Sequence, residues 1–286
     1  LIAQSNPSSA SRIPGGASTA QVAEAAPAWA NSILSRVVRD KRLLSLASVV
    51  FVIALWQWGA GHVSGFLLPP PAEVLARFLD PKWLARLTGA LGQSLMQLGL
   101  GFGLTLLVAV PLGVIIGRSV ILTRMFGPVI NAIYAIPPVA FIPFLIVWFG
   151  LFLEARVALV FLMSVFDVLV IVIAGARDVR SSLVDVGRSF GASHRQRLRL
   201  IVLPALLPFL FAALRVGSAR AINGMITAEL FFAAVNLGAI MKRATQNFDT
   251  ATVLSVVLLV CVLGLVAQSA IGLLERRVLH WHVRPA

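Results

Sequence analysis

The chain has 286 residues, of which 59% are hydrophobic and only 12% charged, about half the charged fraction of an ordinary soluble domain. A soluble fold of this size has too little interior to hide so much apolar surface, so lipid must receive it. The net charge of +13 does not signal nucleic acid, because the basic residues fall between long apolar runs instead of striping a polar domain.

In chain order, residues 1–32 are rich in Ala, Ser, Gly and Pro and hold a single aromatic, Trp29; they read as a disordered leader ahead of a membrane domain over 33–286. The basic cluster Arg36, Arg39, Lys41 and Arg42 precedes an apolar run that reads as a retained first span, not a cleaved signal. Hydropathy predicts six spans, at about 43–60, 91–117, 127–149, 157–175, 203–223 and 250–273, each close to the 20 residues that a hydrocarbon core of roughly 30 Å requires. Runs of this length in lipid must be helices, and the short alternating segments of a membrane barrel do not occur. The expected class is therefore all-α and polytopic, with its core over 91–275.

Between the first two spans, Pro69, Pro70 and Pro71 followed by Val74, Leu75, Phe78 and Leu79 predict a short amphipathic helix at the membrane interface. Trp56, Trp58 and Trp83 fit an aromatic belt beside it. Pro137, Pro138 and Pro143 crowd the third span and predict a break that lines a cavity, since irregular backbone at membrane depth must be satisfied by protein or water. Lys and Arg concentrate before the first span, at Arg118 and Arg124, from Arg177 to Arg199, and at Arg276, Arg277 and Arg284. That bias places both termini in the cytoplasm.

The predicted inside loop, about 176–203, carries more pattern than a connector needs. Ser182 stands three positions before Asp185, a capping-box spacing that would start a helix on Leu183. Gly191 can turn the chain, a basic stretch from His194 follows, and Pro204 marks the start of the fifth span. The series Asp185, Val186, Gly187, then Gly191, then Ile201, Leu203 and Pro204 resembles the signature loop of permease subunits in bacterial binding-protein-dependent ATP-driven importers. The spacing is kept, whereas the opening glutamate-alanine-alanine of that family is here Asp185-Val186-Gly187. Leu68, Pro69, Pro71 and Val74, and Ala228-Glu229-Leu230-Phe231 followed by Leu237 and Gly238, are similar to stretches of the nitrate, sulfonate, taurine and bicarbonate branch. Asn236 replaces a usual glycine there.

The resemblance implies a type I importer permease fold in the inner membrane and no enzymatic activity of its own. It implies that Asp185, Val186, Gly187 and Gly191 dock on a cytoplasmic ATPase, with Arg188 and Arg195 as salt partners and Ile201, Leu203 and Pro204 completing the motif. It also implies two ATP-binding subunits, a second permease copy, for which a homodimer is the simpler expectation, and a periplasmic or lipid-anchored solute-binding protein. The expected cargo is a small anion such as nitrate, a sulfonate, taurine or bicarbonate. A neutral or aromatic or pyrimidine-precursor solute is the alternative within the superfamily, and a secondary transporter the rival outside it.

Charges inside apolar spans are costly and kept for a reason, which singles out Asp167, Arg215, Arg220 and Glu229 as candidates for the translocation path. Two readings stand for them: contact with solute, or pairing of Asp167 with an arginine across the bundle. Tyr134, Phe141 and Phe144 are either gate residues or ordinary packing. The sequence holds no phosphate-binding loop ending in Gly-Lys-Ser or Gly-Lys-Thr. His62, His194, His280 and His282 form no metal constellation, Cys261 lies alone in an apolar run, and no cofactor is expected.

Overall fold

The computed structural model describes residues 41–65, 67–232 and 235–279. The leader read over 1–32, Arg36, Arg39, Phe66, His280, His282 and Arg284 lie outside the described residues. The chain divides into two compact units, Leu1–Trp58 and Gly59–Ala286. The first contains most of α1 (Lys41–His62), a helix on which no side chain from Leu43 to Leu55 is buried. An apolar helix exposed all round suits lipid and nothing else.

The second unit opens with α2 (Pro71–Ala76), which has proline at its first position and buries Val74. It runs into a single 3₁₀ turn, Arg77–Leu79, so the predicted short helix is present. The next helix, α3 (Pro81–Arg118), has 38 residues and starts about ten residues before the apolar run does. Asp80 explains the early start: its carboxylate accepts the Lys82 N–H at 2.9 Å, and Pro81 presets the first helical φ. Hydropathy sees only the apolar portion of such a helix.

Then come α4 (Val120–Tyr134), a 3₁₀ turn over Pro138–Phe141, α5 (Ile142–Phe149) and α6 (Leu153–Asp178). Helix α6 is the axis of the unit. A Cβ at Gly101, Gly113 or Gly117 of α3 would lie 2.6 Å, 2.7 Å and 2.7 Å from Val160, Val172 and Ala176 respectively, so the backbones approach as small residues permit in membranes. Between these contacts the Thr105 and Ser164 hydroxyls share a hydrogen bond of 2.8 Å.

The paired positions rise together along both helices, so α3 and α6 run parallel. The chain between them must therefore return across the full bundle. The broken segment 120–149, whose two halves bend by 81°, supplies that crossing. The break falls at Ala135–Pro137, where Pro137 lacks an amide hydrogen and adopts extended backbone. Among the described residues five helices are long and apolar enough to span a membrane, and the number rises to six when this bent pair is taken as one broken span.

Beyond α6 lie α7 (Ser181–Ser189), α8 (His194–Arg197), a π turn over Leu198–Val202 and α9 (Leu203–Phe231). α8 to α9 form one continuous helical stretch, so the helix that carries the fifth apolar run begins at His194, ahead of Pro204. The wide π turn places Pro204 where a missing amide hydrogen costs little. α9 packs antiparallel on the other face of α6: Gly175 meets Phe209, Gly217 meets Val168 and Gly224 meets Met163. Helix α10 (Asn236–Gln246), unforeseen from hydropathy, buries Leu237 and Ile240 with Leu87 and Val256. Trp83 packs against the same cluster. Helix α11 (Thr250–Val278) completes the chain, capped by Asp249, which accepts from the Thr252 amide at 3.0 Å and hydroxyl at 2.7 Å.

Candidate functional site

The break between α4 and the 3₁₀ turn opens a cavity of about 300 Å³. Tyr134, Pro137, Pro138 and Phe141 line one side, Met163, Phe166 and Asp167 of α6 another, and Arg220 of α9 the third. Asp167 stands near the middle of α6, hence at mid-bundle. Its carboxylate accepts the Tyr134 hydroxyl at 3.0 Å and meets Arg220 Nε at 3.4 Å. The carboxylate is nearly covered, with 11% of the Asp167 side chain exposed against 52% of the Arg220 side chain. Arg220 therefore keeps donors turned to the open space while anchored by a partner. The cavity brings together Tyr134, Phe141, Asp167 and Arg220 from the predicted path residues.

The remaining three sit elsewhere. Arg215 pairs with Glu275 of α11 at 2.7 Å. Phe144 lies on an exposed face of α5, edge-on to Trp148 with ring centroids 4.5 Å apart. Glu229 is wholly buried and accepts hydrogen bonds from Ser94, from Gln97 Nε2 at 2.9 Å, from Asn236 Nδ2 at 3.1 Å and from the Gly238 amide at 3.0 Å. It clamps the end of α9 to α3 and to the start of α10. Sequence reading missed Ser94, Gln97 and Glu275, since a polar residue gains meaning only when its partner is placed beside it.

At the end of the bundle where α3 and α6 finish, α7 and α8 form a compact bent segment. α7 has Arg180, not Ser182, before its first residue, and no side chain caps it. The capping box expected at Ser182 and Asp185 occurs instead at Ser193, whose hydroxyl accepts the Gln196 amide at 3.3 Å while Gln196 Oε1 accepts the Ser193 amide at 2.7 Å. Asp185 and Arg188 pair within α7 at 3.8 Å. Gly191 has φ +74, the left-handed value that ends a helix, and the Ala192 amide returns to the Gly187 carbonyl at 3.0 Å. A Cβ on Gly187 would stand 2.7 Å from Ile201 Cδ1, so this small residue lets α7 fold onto the following helix. Arg197 ties the turn by donating to the Ala192 carbonyl at 2.9 Å, while Arg195 and Leu203 remain exposed. Leu183 and Val186 of α7, one turn apart, and Phe190 directly after the helix are 50%, 54% and 86% exposed.

On the opposite side of the bundle, Arg77 pairs with Asp249 at 3.1 Å. Burial pushes the Asp249 carboxyl up, but the two Thr252 hydrogen bonds and the Arg77 charge outweigh it and hold the group below its ordinary value. Among the described residues no cluster of three metal-ligating side chains exists.

A bundle of parallel and antiparallel spans with a broken helix around a mid-bundle cavity, and a compact helical segment at one end, is the architecture of a membrane transport subunit. Residues 109–280 match the family described as the binding-protein-dependent transport system inner membrane component, and the chain belongs to that family of ATP-driven importer permeases. It is 27% identical over 247 residues to the taurine transport system permease protein TauC of Escherichia coli, covering 84% of this chain and 90% of the relative. It is 32% identical over 242 residues to the riboflavin transport system permease protein RibX of Chloroflexus aurantiacus, covering 82% and 88%. Among solved structures, a chain of the MetNI methionine transporter in an inward-facing conformation superposes with a TM-score of 0.54 at 20% identity, over 70% of this chain and 99% of that one, which supports the shared fold. The protein is thus a multi-pass inner-membrane importer subunit for a small solute. Family membership removes the secondary-transporter reading.

Proposed function

We propose that the chain forms the translocation path of an importer for a small anionic solute, with the cavity at Tyr134, Asp167 and Arg220 on that path. The observation that carries this reading is Arg220: a guanidinium half-open to a cavity at mid-bundle, where a low dielectric magnifies its pull on an anion. Taurine, named for the Escherichia coli relative, carries a sulfonate of this kind. The second reading is a neutral aromatic solute. It is favoured by the riboflavin relative and by the apolar walls that Tyr134, Phe141 and Phe166 provide around one balanced pair of charges.

The exposed Leu183, Val186 and Phe190 face supplies an apolar surface for a cytoplasmic ATP-binding subunit, with Asp185, Arg188 and Arg195 at its rim. Two such subunits, two permease copies and an external binding protein make up the proposed assembly, with α7 and both termini on the cytoplasmic side.

Uptake into proteoliposomes holding the permease, its ATPase and its binding protein tests the anion reading. Arg220→Gln is expected to lower uptake of a sulfonate by at least about tenfold, the factor that 1.4 kcal/mol gives. Unchanged sulfonate uptake in that variant would overturn the role of Arg220, and a wild type that transports a flavin and no sulfonate would replace the anion by the aromatic solute.

A further inference from the structure

A second cavity, of about 490 Å³, lies where α3 ends, α4 begins and α6 passes into α7. Arg118, Arg124, Arg177 and Arg180 line it, against a single carboxylate, Asp178. Among the described residues none of these four arginines makes an ion pair. Arg118 spends one nitrogen on the carbonyl oxygens of Ala176 and Val179, at 3.4 Å each, which caps the end of α6 and fixes the guanidinium at the rim. The general bias of basic residues toward the cytoplasm accounts for arginines at this end of the bundle. It does not account for four of them, from two stretches of chain well separated in sequence, 118–124 and 177–180, converging on one recess.

The neighbours of the recess indicate what it holds. Val120 and Ile121, directly after the Ser119 cap, are 67% and 76% exposed, so an apolar surface adjoins the charged one at the end of the spans. A free anion needs only the charges, whereas an amphiphile with an acidic head uses both surfaces. Planar guanidinium forks match the oxygens of a phosphate group, and basic recesses between spans on the cytoplasmic side suit anionic headgroups.

The geometry points to a binding site for the phosphate headgroup of an anionic phospholipid at Arg118, Arg124, Arg177 and Arg180, with its acyl chains against Val120 and Ile121. Because Arg180 immediately precedes α7, an occupied site fixes the root of the segment proposed to meet the ATPase. Assignment to the cytoplasmic leaflet rests on the orientation proposed above. Binding itself is read in detergent and stands or falls separately.

Full-length permease, purified and mixed with micelles containing phosphatidylglycerol or phosphatidylcholine, is examined by native mass spectrometry. The wild type is expected to retain phosphatidylglycerol preferentially. Each of Arg124→Gln, Arg177→Gln and Arg180→Gln is expected to weaken retention by roughly fivefold, and the Arg276→Gln/Arg277→Gln variant, altered at the end of α11, to leave it unchanged. The three single variants, and a triple Arg→Lys variant that keeps charge but loses the fork and so binds to an intermediate degree, guard against loss of fold. Equal retention of both lipids, or unchanged retention in all three single variants, would overturn the site. Displacement of lipid by millimolar inorganic phosphate would overturn the lipid as occupant in favour of a free anion, and protection of the arginines from chemical modification only when the ATPase is added would overturn it in favour of a protein contact.

Discussion

Glu229 shows how a single intramembrane charge can serve the fold and not the cargo. Its carboxylate receives four donors, two from α3 and two from the start of α10, and is shut off from the cavity. Glu229→Leu removes every acceptor at once and strands buried donors, at about 1–3 kcal/mol for each unsatisfied group. A large fall in melting temperature in detergent is expected, with a smaller one for Glu229→Gln, which keeps one acceptor oxygen. A Leu variant that melts with the wild type would refute the clamp. Asp249 is the opposite case, a carboxylate near the surface whose state depends on pH. Its folded-state value lies below the ordinary one, so its contribution is complete above about pH 4 and is lost as pH falls through the lowered value. Acid melting curves should show that loss in the wild type, while Asp249→Asn should be less stable at neutral pH and converge with the wild type in acid. Parallel curves across the range would exclude the linkage.

At the scale of elements, the glycines of α3 set the distance to α6. Gly113→Leu would push a side chain into Val172, whose Cγ1 lies 2.7 Å from where the new Cβ would stand; overpacking costs typically about 1–3 kcal/mol. The variant should melt earlier than Gly103→Leu, whose Cβ meets nothing within 4 Å. Equal melting of the two would show that the helices can separate without penalty. The docking face of α7 yields a prediction of its own. Val186→Asp and Phe190→Asp place charges on exposed positions without disturbing the fold, and each should abolish co-purification of the ATPase while leaving the melting temperature in place. Gly187→Trp would not serve as such a probe, because the Ile201 contact would make it a folding mutation. The six apolar stretches were legible from the sequence because lipid demands unbroken hydrophobic length, and so was the break at Pro137. α10 was not: it is short and polar on one face, and only the burial of Leu237 and Ile240 against α3 and α11 reveals it. The π turn before Pro204 also leaves no mark in composition, since it is a matter of hydrogen-bond register. The loop motif located α7 correctly but misplaced its cap, because Ser182 and Ser193 offer the same spacing and only the backbone decides between them.

At the scale of the whole molecule, the broken crossing, the central helix and the antiparallel α9 meet through Tyr134, Asp167 and Arg220. Sequence reasoning named all three residues and offered a pairing of Asp167 with an arginine, but could not say which arginine or bring Tyr134 to the pair, since they are separated by tens of positions and belong to different spans. A structural and a transport role for this group make different predictions in a double-mutant cycle. Asp167→Asn alone leaves the Arg220 charge unbalanced at mid-bundle, and Arg220→Gln alone leaves the Asp167 charge so, and each should lower the melting temperature, because an unpaired charge is costly there. The double variant Asp167→Asn/Arg220→Gln removes both charges and should recover much of that stability. If the pair only holds α6 to α9, ATP-driven uptake should recover with it. If Arg220 meets the solute and Asp167 poises it, uptake should stay low in the double variant despite the restored melting temperature, and that separation of stability from transport is the expected result. Recovery of both together would assign the pair to packing and move the solute path away from Arg220.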